Sequence, residues 1–149
     1  MKRSFLYMLV LAVILVLPAR STDVGILRPV QTVAVYRNQD SCIIKTDTEA
    51  IGNGTTIIEA LEDLKATTPA VLYLDTAQYL LVNDKTLIEE LRPYLKRSVC
   101  LYGFIGDPPM ETVSKYLSAQ PDSVKLGKWK DGEIVPVLDC TKDRIKMLK

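Results

Sequence analysis

Residues 99–105, VCLYGFI, are apolar on both alternating faces, so a strand built from them turns a water-avoiding surface to each side. Such a strand belongs in the middle of a sheet that is covered above and below. The flanking sequence supplies candidates for the cover. Residues 30–36 (VQTVAVY) and 41–46 (SCIIKT) are β-branched runs joined by RNQD, a hairpin pattern. The two glycines of IGNGTT mark a turn, and Thr56 and Glu59 then form a T-x-x-E capping box. The helix it opens carries Ile57, Ile58, Ala60, Leu61 and Leu64 at helical spacing and ends at Thr67-Thr68-Pro69.

Residues 70–74 (AVLYL) read as a buried strand, broken by Asp75-Thr76-Ala77-Gln78 and resumed at Tyr79–Val82. Asn83 or Asp84 caps a second helix, whose apolar face is Leu87, Ile88, Leu91, Tyr94 and Leu95. Pro93 must kink or split it. Asp107 is the expected cap of a third helix, with Pro108 in the first helical position and Met110, Val113 and Leu117 turned inward. A hairpin is predicted over 126–138, around Asp131-Gly132. The element order β-β-α-β-α-β-α-β-β predicts an α/β chain, with mixed α+β as the variant: one mixed sheet with about three helices packed on it.

The N-terminus has a different character. Lys2 and Arg3 precede an unbroken apolar run, Phe5–Leu17, followed by Pro18-Ala19-Arg20-Ser21. This is the pattern of a secretory signal, with a cleavage point before Thr22. Crossing a membrane stably takes about 20 apolar residues, so residues 1–21 are read as a signal peptide or a retained anchor that meets the membrane through residues 4–19. Residues 22–149 are then one extracytoplasmic domain with a basic C-terminal tail, KDRIKMLK, read as solvated. The expected location is the cell membrane or the space outside it.

Composition removes several chemistries. The chain has no histidine, which excludes Ser-His and Cys-His nucleophile pairs, His-ligated zinc and axial haem histidine. Lys2, Arg3 and Arg20 fall in the leader, leaving 16 basic against 18 acidic side chains, net −2, with no electrostatic footprint for nucleic acid. Cys42, Cys100 and Cys140 have no metal-ligand spacing. They read as structural thiols, with one disulfide open as an option; a reactive one would need a neighbouring Lys or Arg or a helix N-terminus. No catalytic, metal or cofactor residues are assigned, and no cofactor is expected.

The residues left as contact candidates are Trp129, Asp75 and Gln78. Trp129 lies between Lys128 and Lys130 beside the Asp-Gly turn and is expected half-exposed, where a tryptophan suits a protein partner. Asp75 and Gln78 bound the polar insertion between two apolar runs. GNGT at 52–55 lacks the Gly-Lys-Ser/Thr ending of a phosphate loop and is read as a turn.

TTIIEALEDL (55–64), LYLDTAQYLLVND (72–84), LIEELRPYLKR (87–97) and VCLYGFIG (99–106) together resemble the N-terminal domain of the Ger(x)C family of spore-germination lipoproteins. The likeness spans roughly residues 24–120 and rests on apolar patterning. The chain departs from the family in lacking its lipid-bearing cysteine and large C-terminal domain, and Asp75 or a neighbour stands where the family has histidine. The resemblance implies an extracytoplasmic, non-enzymatic membrane protein that binds protein partners, an accessory in spore germination or sporulation. The alternative is a small secreted hydrolase working through Asp75, Asp47 or Glu49, or a small-ligand-binding protein.

Overall fold

The computed structural model describes residues 27–68, 71–120, 122–129, 136–142 and 144–148. Strands β1 (Leu27–Pro29), β2 (Thr32–Asn38), β3 (Ser41–Thr46) and β4 (Ile51–Gly54) precede helix α1 (Ile57–Thr67). Then come β5 (Val71–Tyr73), β6 (Tyr79–Val82), α2 (Thr86–Leu91), β7 (Cys100–Gly106) and α3 (Met110–Ser118). The last elements are β8 (Val124–Lys125), β9 (Val137–Cys140) and β10 (Lys146–Leu148). One mixed sheet of eight strands runs β10-β9-β7-β6-β2-β3-β4, with β8 also paired to β7. The expected α/β fold is the observed one.

Strands β2, β6, β7 and β9 lie parallel at the centre. Antiparallel strands finish the sheet, β3 and β4 at one end and β10 at the other. On one face, α1 and α2 bury Ile57, Leu64, Leu87 and Ile88 together with Leu126 and Trp129. On the other, α3 packs Val113 and Leu117 over Leu81, Tyr102 and Phe104. Strand β7 divides its side chains between the two, Leu101 to the first and Tyr102 to the second, which is why its sequence is apolar on both alternations.

Local chemistry sets the helix ends. The Thr56 hydroxyl accepts the Glu59 N–H at 3.2 Å. The Glu59 carboxylate reaches back one residue further than a capping box requires, to the Thr55 N–H at 2.8 Å, and the Thr55 hydroxyl and N–H hold its carboxyl below the usual range. The Asp84 carboxylate accepts the Thr86 N–H at 2.9 Å at the start of α2. Pro93 splits the second helical pattern outright: α2 ends at Leu91, and Tyr94, expected on its apolar face, is 42% exposed.

Several expectations are corrected. IGNG is strand β4, not a turn, and its glycines serve packing: a Cβ on Gly52 would lie 2.1 Å from the Ala60 carbonyl oxygen, and one on Gly54 2.5 Å from the Ala60 nitrogen. Asp107 does not cap α3. The helix starts at Met110, and the Asp107 carboxylate pairs with Lys45 at 2.6 Å instead. β5 pairs with β1, apart from the main sheet, and Leu74–Thr76 forms a 3-10 turn. Of the hairpin predicted over 126–138, Leu126–Lys128 form a 3-10 turn instead of a strand. β8 and β9 both pair with β7 rather than with each other, and Asp131-Gly132 lies outside the described residues. The basic tail, read as solvated, adds the edge strand β10, in which Lys146 and Leu148 remain exposed. The leader, residues 1–21, lies outside the described residues; among those described, no helix is long and apolar enough to cross a membrane.

Candidate functional site

The sheet register places Val35, Val82, Gly103 and Val137 side by side across β2, β6, β7 and β9. Three valines and one glycine make a row with a gap. Over that gap, on the face covered by α2, lies a recess of about 240 Å³. Val82, Gly103 and Val137 form its floor, Ile88 and Trp129 its walls, and Asn83, Asp84 and Lys85 its polar rim. The position follows from topology. The chain leaves β6 for α2 on one face and leaves β7 for α3 on the other, so the carboxyl ends of these neighbouring strands diverge. Crevices at such a divergence are where open α/β sheets hold ligands.

Trp129 reaches the recess through a backbone detour. After β8 the Leu126 N–H donates to the Val99 carbonyl at 2.8 Å and the Gly127 N–H to the Arg97 carbonyl at 3.0 Å. The 3-10 turn Leu126–Lys128 then delivers Leu126 and Trp129 into the first-face core. Trp129 is 7% exposed, which corrects the half-exposed expectation: its flanking lysines describe the neighbours of the indole in sequence, not its surroundings in the fold.

The rim is rigidly held. The Asn83 side chain accepts from the Arg37 N–H and donates to the Arg37 carbonyl, each at 3.0 Å, continuing the β2–β6 pairing past the end of β6. The Arg37 guanidinium bridges to Glu90 at 2.8 Å and to the Thr86 hydroxyl at 3.3 Å, fastening α2 to the sheet, and the Glu90 carboxylate raises its pKa. Asp84 stays ionised, its carboxyl held low by the Thr86 N–H and hydroxyl. The recess therefore offers apolar walls with one acidic and one basic side chain, Asp84 and Lys85, at its mouth.

The other residues singled out from the sequence lie elsewhere, as the strand directions require. Asp75 and Gln78 are exposed and precede β6, at the opposite end of the parallel strands from the recess. Asp47 and Glu49 sit in the β3–β4 turn beside a second cavity of about 360 Å³, lined also by Lys45, Met110 and Glu111. Asp47 is already engaged: it accepts the Gln31 N–H at 3.2 Å and the Ser114 hydroxyl at 3.3 Å. Burial raises its pKa despite these bonds. Glu49 is exposed at φ 65° in the same turn. The three carboxylates considered for hydrolysis are thus not gathered in one cleft. Sequence reasoning missed Gly103, whose only signal was a glycine inside an otherwise bulky strand.

Among the described residues, no group of three or more Cys, Asp or Glu side chains is placed to hold a metal ion. Compared with protein-family models, with curated proteins and with solved structures, the chain has no match.

Proposed function

We propose that this chain is a non-enzymatic binding protein of the extracytoplasmic side of the membrane, delivered there by residues 1–21, which takes a ring-sized apolar group in the recess over Gly103. What supports the reading is that recess, apolar in floor and walls, lined by the sole tryptophan of the chain and open at the carboxyl ends of parallel strands. Its size narrows the occupant. Pockets for drug-sized ligands are roughly 300–1,000 Å³, so a cavity of about 240 Å³ suits a single ring or one side chain of a partner protein. An accessory part in spore germination or sporulation is the setting that the resemblance to the Ger(x)C N-terminal domain suggests.

Because Trp129 is the only tryptophan, its fluorescence reports on the recess alone. Titration with p-cresol or benzyl alcohol is expected to give a saturable change in Trp129 emission, abolished in Gly103→Leu, whose side chain fills the gap. An unsaturable response, or one unchanged in Gly103→Leu, removes the recess as a binding site. Export has a separate test: residues 1–30 fused to a reporter active only outside the cytoplasm should produce signal, and a silent reporter retained in the cytoplasm would sink the location.

A further inference from the structure

The recess over Gly103 is larger than a bare ring needs. An apolar cavity of about 150 Å³ takes up benzene, and this one has about 240 Å³. The surplus admits a few atoms beyond the ring. Ile105, 51% exposed, carries the apolar lining outward from Gly103, two residues on along the same face of β7. Trp129 supplies an aromatic wall, and aromatic pairs attract each other beyond the area they bury.

The charged residues that line the recess are two neighbours in sequence, Asp84 and Lys85. Asn83, the other polar residue of the rim, is spent on the Arg37 backbone. The Asp84 Oδ1 accepts the Thr86 N–H at 2.9 Å, which fixes the carboxylate at the start of α2. A carboxylate has about four acceptor positions, so this bond leaves it able to accept from a ligand. Among the described residues the Lys85 ammonium enters no ion pair, whereas the Arg37 guanidinium is already bound to Glu90. One acidic and one basic group thus stand at the mouth with capacity for a ligand. A neutral ring leaves both without a counterpart. An amine would meet Asp84 and be repelled by Lys85, and a carboxylate would meet the reverse. A zwitterion satisfies both, and the like-charge contacts discriminate against molecules with only one charge.

Resting on the reading of the recess as a binding site, we infer that its ligand is a free aromatic α-amino acid of the size of phenylalanine. The ring lies over Gly103 against Trp129, the α-ammonium faces Asp84 and the α-carboxylate faces Lys85. The apolar cavity supplies the bulk of the affinity. The two charges select the free amino acid over a neutral ring or a phenylalanine side chain within a polypeptide.

The test titrates the full-length protein with five compounds, following Trp129 emission: L-phenylalanine, benzyl alcohol, 2-phenylethylamine, 3-phenylpropionate and N-acetylphenylalanine amide. The last, with both charges blocked, stands for a side chain of a partner protein. Exposed charge pairs are each worth only a few-fold in affinity, so phenylalanine should bind about fivefold tighter than each of the other four. High salt should shrink that preference. Asp84→Asn and Lys85→Gln should each cost phenylalanine about threefold and leave benzyl alcohol unchanged. The wild-type comparison depends on no variant folding. Benzyl alcohol that saturates as tightly as phenylalanine overturns the inference and leaves the recess standing as a binding site. Equal binding of the blocked amide overturns it in favour of a partner's side chain, and a preference that survives both substitutions overturns it as well. If none of the five gives a saturable change, the recess itself is not a binding site and the inference falls with it.

Discussion

The β4 end of the sheet is closed by a helix, while at the β10 end no described element pairs with the edge. At β4, the Asn53 N–H donates to the Asp63 carboxylate at 2.8 Å and the Ile51 carbonyl accepts from the Thr67 hydroxyl at 3.4 Å. Both partners are on α1, which comes close enough because Gly52 and Gly54 present no side chain to it. At the other end, β10 has three residues, no described segment pairs with its outer edge, and Leu148 is 43% exposed. Leu148 falls in the same register row as Val82, Gly103 and Val137. The sheet manages its edges in two ways, by covering one and by keeping the other short with Lys146 upon it. The recess over Gly103 lies on the β10 side of β6, towards the end that no described helix closes.

The strongest way to break this comparison is to deny α1 its approach. Gly52→Val would drive a Cβ to 2.1 Å from the Ala60 carbonyl oxygen and 2.7 Å from the Leu64 Cβ, where backbone must move. We expect a loss of about 3 kcal/mol or more in urea denaturation. Gly103→Ala is the control from the other half: the nearest atoms to its Cβ would be those of the Val137 side chain, at 3.0 Å, and the change should cost within about 1 kcal/mol. Equal costs would mean that α1 is not seated on glycine.

A smaller effect is expected from unsealing the β4 edge. Asp63→Ala frees the Asn53 N–H and should cost about 1 kcal/mol. It should also introduce concentration-dependent association visible in sedimentation, since an unpaired strand edge invites another. A variant that stays monomeric at high concentration would show that Asp63 is not what protects the edge.

The smallest effect belongs to the open end. Leu148→Lys changes an exposed residue on an edge strand and should leave stability within about 0.5 kcal/mol. A larger loss in the same denaturation assay would reveal that β10 is covered in the working protein, and would sharpen the search for what covers it.

The residues themselves determined whatever depends on near neighbours in the chain. The strand at Val99–Ile105 was legible because apolar residues on both alternations have one stable use, and α1 because its periodicity, threonine cap and terminal proline agree over a dozen residues. The absence of histidine chemistry was likewise settled by composition. Only the tertiary structure decided which strand lies beside which. Asp-Gly signals a turn but not the neighbours of the strands around it: β8, just before the 126–138 segment, and β9, which begins at its end, both pair with β7. The gap at Gly103 exists only because residues 82 and 137 fall in register with it. The Lys125 ammonium, 25 residues away in sequence, lies 2.8 Å from the Cys100 sulfur. Period and propensity act over a few residues, whereas a site is made by pairing, and pairing is settled by the total burial of the folded sheet.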